Sequence, residues 1–188
     1  MKQTMESMNP LSSERDIINQ RRGRILKRYE TRSSLTGMVV LLVIVAAIVI
    51  VFSLIFGLKI ISGNDMYPAF RDGDLVLTYF RPSFIKNEVV IYKAGGVEHC
   101  GRIVAKGGDT VDFSAEGRLL VNGVAQTSDV VFPTAAPEGW EGPVTVPADA
   151  VYVLGDYRTQ AADSRLFGFV YTKDIGAKVI ALLRHMTL

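Results

Sequence analysis

Leu119-Leu120-Val121-Asn122-Gly123-Val124 sets an Asn-Gly pair between apolar residues. A two-residue hairpin turn needs positive φ at its centre, and Asn-Gly supplies it at least cost, so this is a strong hairpin signal. The pattern continues on both sides. Upstream, Leu75-Val76-Leu77-Thr78-Tyr79 follows an Asp72-Gly73-Asp74 turn, and Val89-Val90-Ile91-Tyr92 is bounded by Ala94-Gly95-Gly96. Arg102-Ile103-Val104-Ala105 and Thr110-Val111-Asp112-Phe113 come next. Downstream, Val151-Tyr152-Val153-Leu154 and Phe169-Val170-Tyr171 close the series. Short apolar runs at this spacing predict an antiparallel, mainly β domain. Phe132 to Pro147 holds four prolines and reads as a long loop.

Ahead of this domain, Leu35 to Leu58 runs for 24 residues without a charge. A helix of that length reaches roughly 36 Å, enough for a bilayer core. A cleaved secretory signal would have a shorter apolar region followed by a small-residue site, whereas Ala46 and Ala47 lie inside the run. The reading is an uncleaved anchor. Residues 1–34 carry eight Lys/Arg against four Asp/Glu, and only Lys59 follows the run closely. By the positive-inside rule residues 1–34 form a cytoplasmic basic tail, 35–58 a single transmembrane helix and 59–188 an extracellular domain. Within the tail, Glu14 to Tyr29 has the pattern of a helix on anionic lipid; a solvated tail is the preferred reading. Val179-Ile180-Ala181-Leu182-Leu183 is too short for a second span.

Residues 59–188 carry thirteen Lys/Arg against fifteen Asp/Glu. A nucleic-acid surface needs a basic stripe on the folded domain, so that class is excluded. Cys100 is the only cysteine, which excludes an intrachain disulfide. Neighbouring residues in a strand face opposite ways, so His99 and Cys100 do not form a nucleophile pair. Cys100 reads as packing and His99 as an ordinary polar position. No metal-ligand spacing is present, and no cofactor is expected.

Four segments carry a resemblance. Ser62-Gly63-Asn64-Asp65-Met66-Tyr67-Pro68 comes first, then Gly73-Asp74-Leu75-Val76-Leu77. Gly101-Arg102-Ile103-Val104-Ala105-Lys106-Gly107-Gly108-Asp109 follows. Last is Gly155-Asp156-Tyr157-Arg158 with Asp163-Ser164-Arg165 and Gly168. In this order, behind one anchor, they resemble type I signal peptidases. The resemblance implies a mostly β fold with a groove near the membrane. It also places Asp65 where that family has its serine nucleophile and Gly101 where it has the lysine base. Ala161 stands where the family has the serine that orients the lysine, and Tyr157 replaces an Asn. Arg102, Asp109, Asp156, Asp163, Arg165 and Gly168 match, and the resemblance implies a structural charge network of Asp163 with Arg102 and Arg165.

A serine hydroxyl needs a base to become a nucleophile, and in a Ser-Lys dyad that base is a lysine kept neutral by burial. Asp65 and Gly101 supply neither group. The resemblance therefore implies a pseudo-enzyme, like the signal-peptidase-like proteins of sortase-assembled pili in Gram-positive bacteria. Its groove, with Asp65, Met66 and Pro68 as candidate lining, would hold an exported polypeptide as an added strand. The implied partner is a pilin or another exported polypeptide, or a pilin-specific sortase. The alternatives are a divergent active signal peptidase and an inactive regulatory subunit of one. An aspartic dyad would need a second carboxylate sharing a proton with Asp65; Asp74, Asp109, Asp156 and Asp163 are the candidates by count. Ser62 and Ser164 have no visible base. Asp65 itself would find backbone donors at its turn or accept a Lys or Arg from a partner.

Overall fold

The computed structural model describes residues 10–80, 83–126 and 131–184. The expected tail over 1–34 therefore lies in part, at 1–9, outside the described residues. The chain divides into two units, Met1–Val51 and Phe52–Leu188.

The first unit is helical. Helix α1 runs Pro10–Ile55, and so includes the stretch read as a solvated tail. Its Leu35–Ile55 part is long and apolar enough to cross a membrane, and none of it is buried against protein. The expected span to Leu58 is too long by a few residues. The helix stops at Ile55 because Phe56–Ile60 forms strand β1, paired with Leu75–Tyr79, strand β2, in the register Phe56↔Tyr79 to Ile60↔Leu75. At Gly57 a Cβ would lie 2.3 Å from Phe80 Cζ, so the exposed Phe80 ring packs onto the bare glycine.

The second unit is the expected antiparallel β domain. Its further strands are β3 (Val89–Ala94), β4 (Val97–Lys106), β5 (Thr110–Phe113), β6 (Leu119–Val121), β7 (Val124–Ala125), β8 (Val144–Thr145), β9 (Ala150–Leu154), β10 (Val170–Tyr171) and β11 (Ile175–Leu183). Short helix α2, Ser164–Phe167, lies between β9 and β10. One sheet has the order β1-β2-β11-β3-β4-β9-β10 and the other β7-β6-β5-β8. The Asn122-Gly123 hairpin forms as read: both residues have positive φ, and Val121 pairs with Val124. The loop over 132–147 is interrupted by β8, which pairs with β5.

Strand β9 is buried throughout, because it feeds both cores. Val151 and Val153 pack with Val90, Tyr92 and Ile103, while Ala150, Tyr152 and Leu154 pack with Val111, Leu119 and Val146. A register shift between Ile103 and Ala105 lets β4 serve the two clusters in turn.

Candidate functional site

Three segments build the site. The first is the 61–74 connection between β1 and β2. Its ends are tied by the Ile61 N–H to the Asp74 carbonyl and the Gly73 N–H to the Ile61 carbonyl, each 2.9 Å. Within it the Gly63 N–H donates to Asp72 Oδ1 at 2.8 Å, and the Asp72 N–H to Asn64 Oδ1 at 3.2 Å. Met66, an expected groove residue, is instead buried at 1% exposure and plugs the segment into the core. Tyr67 and Pro68 are exposed, and Asp65 is half-buried.

The second segment is β4. Its register with β3, Tyr92↔His99 and Val90↔Gly101, puts His99, Gly101 and Tyr92 on one face. A Cβ at Gly101 would lie 2.5 Å from Val153 Cγ1 and 3.3 Å from Tyr92 Cε1. The place of a lysine side chain is therefore filled by two neighbours. His99 is not an ordinary polar position: its ring lies 5.7 Å from that of Tyr92 and 4.8 Å from that of Phe167.

The third segment, residues 155–163, joins β9 to α2. The Tyr157 N–H donates to the Asp65 carbonyl at 2.9 Å. A Cβ at Gly155 would lie 2.5 Å from that carbonyl oxygen and 2.3 Å from the Ala161 Cβ. Asp65 and Ala161 are thus brought together across a glycine. Asp163 caps α2 and is 1% exposed. Its Oδ2 accepts from the Gly155 N–H at 3.0 Å and Arg165 Nη2 at 2.8 Å; its Oδ1 accepts from the Arg165 N–H at 3.1 Å and Nε at 2.9 Å. Arg102 forks instead onto Asp156, Nε to Oδ1 at 2.8 Å and Nη2 to Oδ2 at 2.6 Å. The expected single network is two ion pairs, because Arg102 points off the strand face opposite to Gly101.

Burial pushes the Asp65 carboxyl above its ordinary value. The His99 ring and the Ala162 N–H, which donates to the carboxylate, oppose the rise, and Asp163 adds to it. Tyr92 is the residue the sequence reading missed. It is 1% exposed and its hydroxyl has no hydrogen-bond partner among the described residues. Burial, then the charges of Asp163 and Asp65, raise its pKa, so the ring links the Gly101 position to the two carboxylates. Only the register with β4 could have revealed it. Ser164 is occupied, its Oγ accepting the Val153 N–H at 3.0 Å. Among the described residues no three His, Cys, Asp or Glu side chains gather as metal ligands would.

The raised Asp65 pKa has a definite sign. The folded state binds its proton more tightly than the unfolded state, so Asp65 favours folding at low pH, and that contribution is lost as pH rises through the folded-state value. Asp65→Asn keeps the acceptor for Ala162 and removes the charge. The variant is expected to melt above the parent at pH 7, with the gap closing towards pH 4. A gap that widens on acidification would contradict the burial described.

The family model for signal peptidase, peptidase S26, matches residues 34–183. The chain belongs to that family. It is 36% identical over 132 residues to a probable thylakoidal processing peptidase 2 of Arabidopsis thaliana, covering 62% of this chain and 35% of that protein. It is 25% identical over 146 residues to signal peptidase I S of Bacillus subtilis strain 168, covering 71% and 79%. The chain spans about a third of the length of the Arabidopsis relatives, 35% and 36%. A crystal structure of a signal peptidase I from Enterococcus faecalis V583 aligns with a TM-score of 0.43 and 23% identity, over 53% of this chain and 98% of that one.

Proposed function

We propose that this chain is a membrane-anchored, non-catalytic signal-peptidase homologue that holds exported polypeptides and assists assembly of surface pili. The observation that carries the reading is the closed Gly101 position. A general base must reach the nucleophile within hydrogen-bond distance. Here Val153 and the Tyr92 ring fill the space next to Gly101, and the motif resemblance puts Asp65, not a serine, where the nucleophile would be. An aspartic dyad of Asp65 with Asp163 is disfavoured because both oxygens of Asp163 are occupied by Arg165 and Gly155. The peptidase names of the relatives favour the second reading, a divergent active signal peptidase.

A photo-crosslinking residue at Pro68, which is exposed, tests the holding role. In cells it should capture a pilin subunit or a pilin sortase. Capture of a catalytic signal peptidase alone would favour the regulatory-subunit alternative and contradict this one.

The positive N-terminal flank supports a cytoplasmic N-terminus and an extracellular β domain. Burial pushes the Cys100 thiol up to about 12, with Asp156 adding and Arg102 opposing. The thiolate is the reactive form, so native labelling should be slow. An impermeant maleimide is expected to label Cys100 in intact cells once mild denaturant opens the domain. Labelling only after membrane lysis would reverse the orientation.

A further inference from the structure

We infer that the cleft lined by Asn64, Tyr67, Arg71 and Tyr157 recognises a carboxylate-bearing segment of an exported polypeptide. The inference rests on the peptide-holding reading above and names what is held. The cleft is a shallow, solvent-open depression of about 500 Å³. It borders the Asp65 turn, since Tyr157 bonds the Asp65 carbonyl.

Tyr67 and Tyr157 line it, and Phe132 backs both rings. Tyr157 lies 4.6 Å from Phe132 and 5.7 Å from Tyr67, and Tyr67 lies 6.5 Å from Phe132. Tyr67 remains 38% exposed, too much for a core residue. Arg71 lays its guanidinium 5.8 Å from the centre of the Tyr67 ring. Arg102, Arg118, Arg165 and Arg184 each face a carboxylate; Arg71 has none within 4.0 Å among the described residues.

The wall is fixed from behind. Arg158, 2% exposed, donates to Thr134 Oγ1 at 3.0 Å and to Gln126 Oε1 at 3.3 Å. It therefore ties the flank that carries Phe132 to the turn that carries Tyr157. Arg158 has no carboxylate within 4.0 Å among the described residues, so these hydrogen bonds, rather than an ion pair, hold the aromatic wall in place.

A guanidinium with no carboxylate within 4.0 Å among the described residues, set beside tyrosine rings, suits a carboxylate with apolar or aromatic neighbours. The planar fork takes both oxygens, and the rings take the flanking side chains. A single carboxylate is favoured over an anionic lipid surface, because Arg71 is the one cationic side chain lining the cleft among the described residues, whereas an anionic lipid surface is held by clusters of basic residues.

The test uses the full chain in neutral detergent and three N-acetylated, C-amidated peptides. These are Ala-Pro-Glu-Tyr-Ala and its versions with Gln or Lys in place of Glu. The Glu peptide should bind about tenfold tighter than the Gln peptide, and the Lys peptide weakest of all. Arg71→Gln should abolish the Glu preference, and Tyr157→Asn should weaken all three peptides. Equal binding of Glu and Gln peptides, a preference that survives Arg71→Gln, or no binding of any peptide would overturn the inference. Phosphatidylglycerol vesicles that bind in an Arg71-dependent way and displace the Glu peptide would reassign the cleft to lipid and overturn it too. Cleavage of the bound Glu peptide would sink the holding reading while leaving the cleft assigned; binding without preference would sink the cleft alone.

Discussion

Asp163→Ala is expected to cost about 3–5 kcal/mol of β-domain stability, the range for removing one partner of a buried ion pair. Asp163 is 1% exposed and Arg165 14% at the side chain, so little water can replace the carboxylate. The substitution strips Arg165 of its fork, removes the α2 cap, and leaves the buried Gly155 N–H without an acceptor. Gly155 is the point where the 155–163 connection meets Asp65, so the site should loosen with the fold. Denaturant titration followed by the single tryptophan, Trp140, measures the loss. A change below about 1 kcal/mol would place the pair in the class of exposed ion pairs and contradict the structure.

Gly101→Lys is expected to destabilise the domain by at least about 3 kcal/mol, through overpacking and the burial of an unpaired ammonium. The new Cβ would overlap Val153, which is 0% exposed, and press on Tyr92 at 1%. Asp65→Ser does not relieve this, because the clash lies within the sheet rather than at the turn. Val153→Ala should recover part of the loss by opening that space. The double variant Asp65→Ser, Gly101→Lys should therefore fold poorly and cleave weakly at best, since Ala161 offers no hydroxyl to orient the lysine and misplacement alone costs on the order of a hundredfold. A stable, active double variant would show that the Gly101 site adapts freely.

The β fold was legible where local chemistry decides it. Asn122 and Gly123 take the positive φ that their residue types suggest, and β2, β5 and β9 fall on the apolar runs. Strand β11 was not legible, because a register shift between Val179 and Ala181 breaks its alternation. The boundary between α1 and β1 was hidden too: Ile55 and Phe56 are equally apolar, and only the pairing with β2 separates them. At the site, the positions of Asp65, Gly101 and Ala161 came from the motif order. Which carboxylate Arg102 takes depends on strand facing, and the filling of the Gly101 space depends on the two strands that flank β4, through Tyr92 of β3 and Val153 of β9. Burial of Met66 follows from the curl of the 61–74 connection, which no spacing in the sequence encodes.

The most direct test of the account is incubation of the purified full chain, in detergent, with a pilin precursor and a secretory preprotein, followed by intact-mass spectrometry. Both substrates are expected to keep their full mass over a time in which a catalytic signal peptidase processes them completely. A product cut at a single site, lost on Asp65→Ala, would contradict it and make Asp65 a working catalytic group.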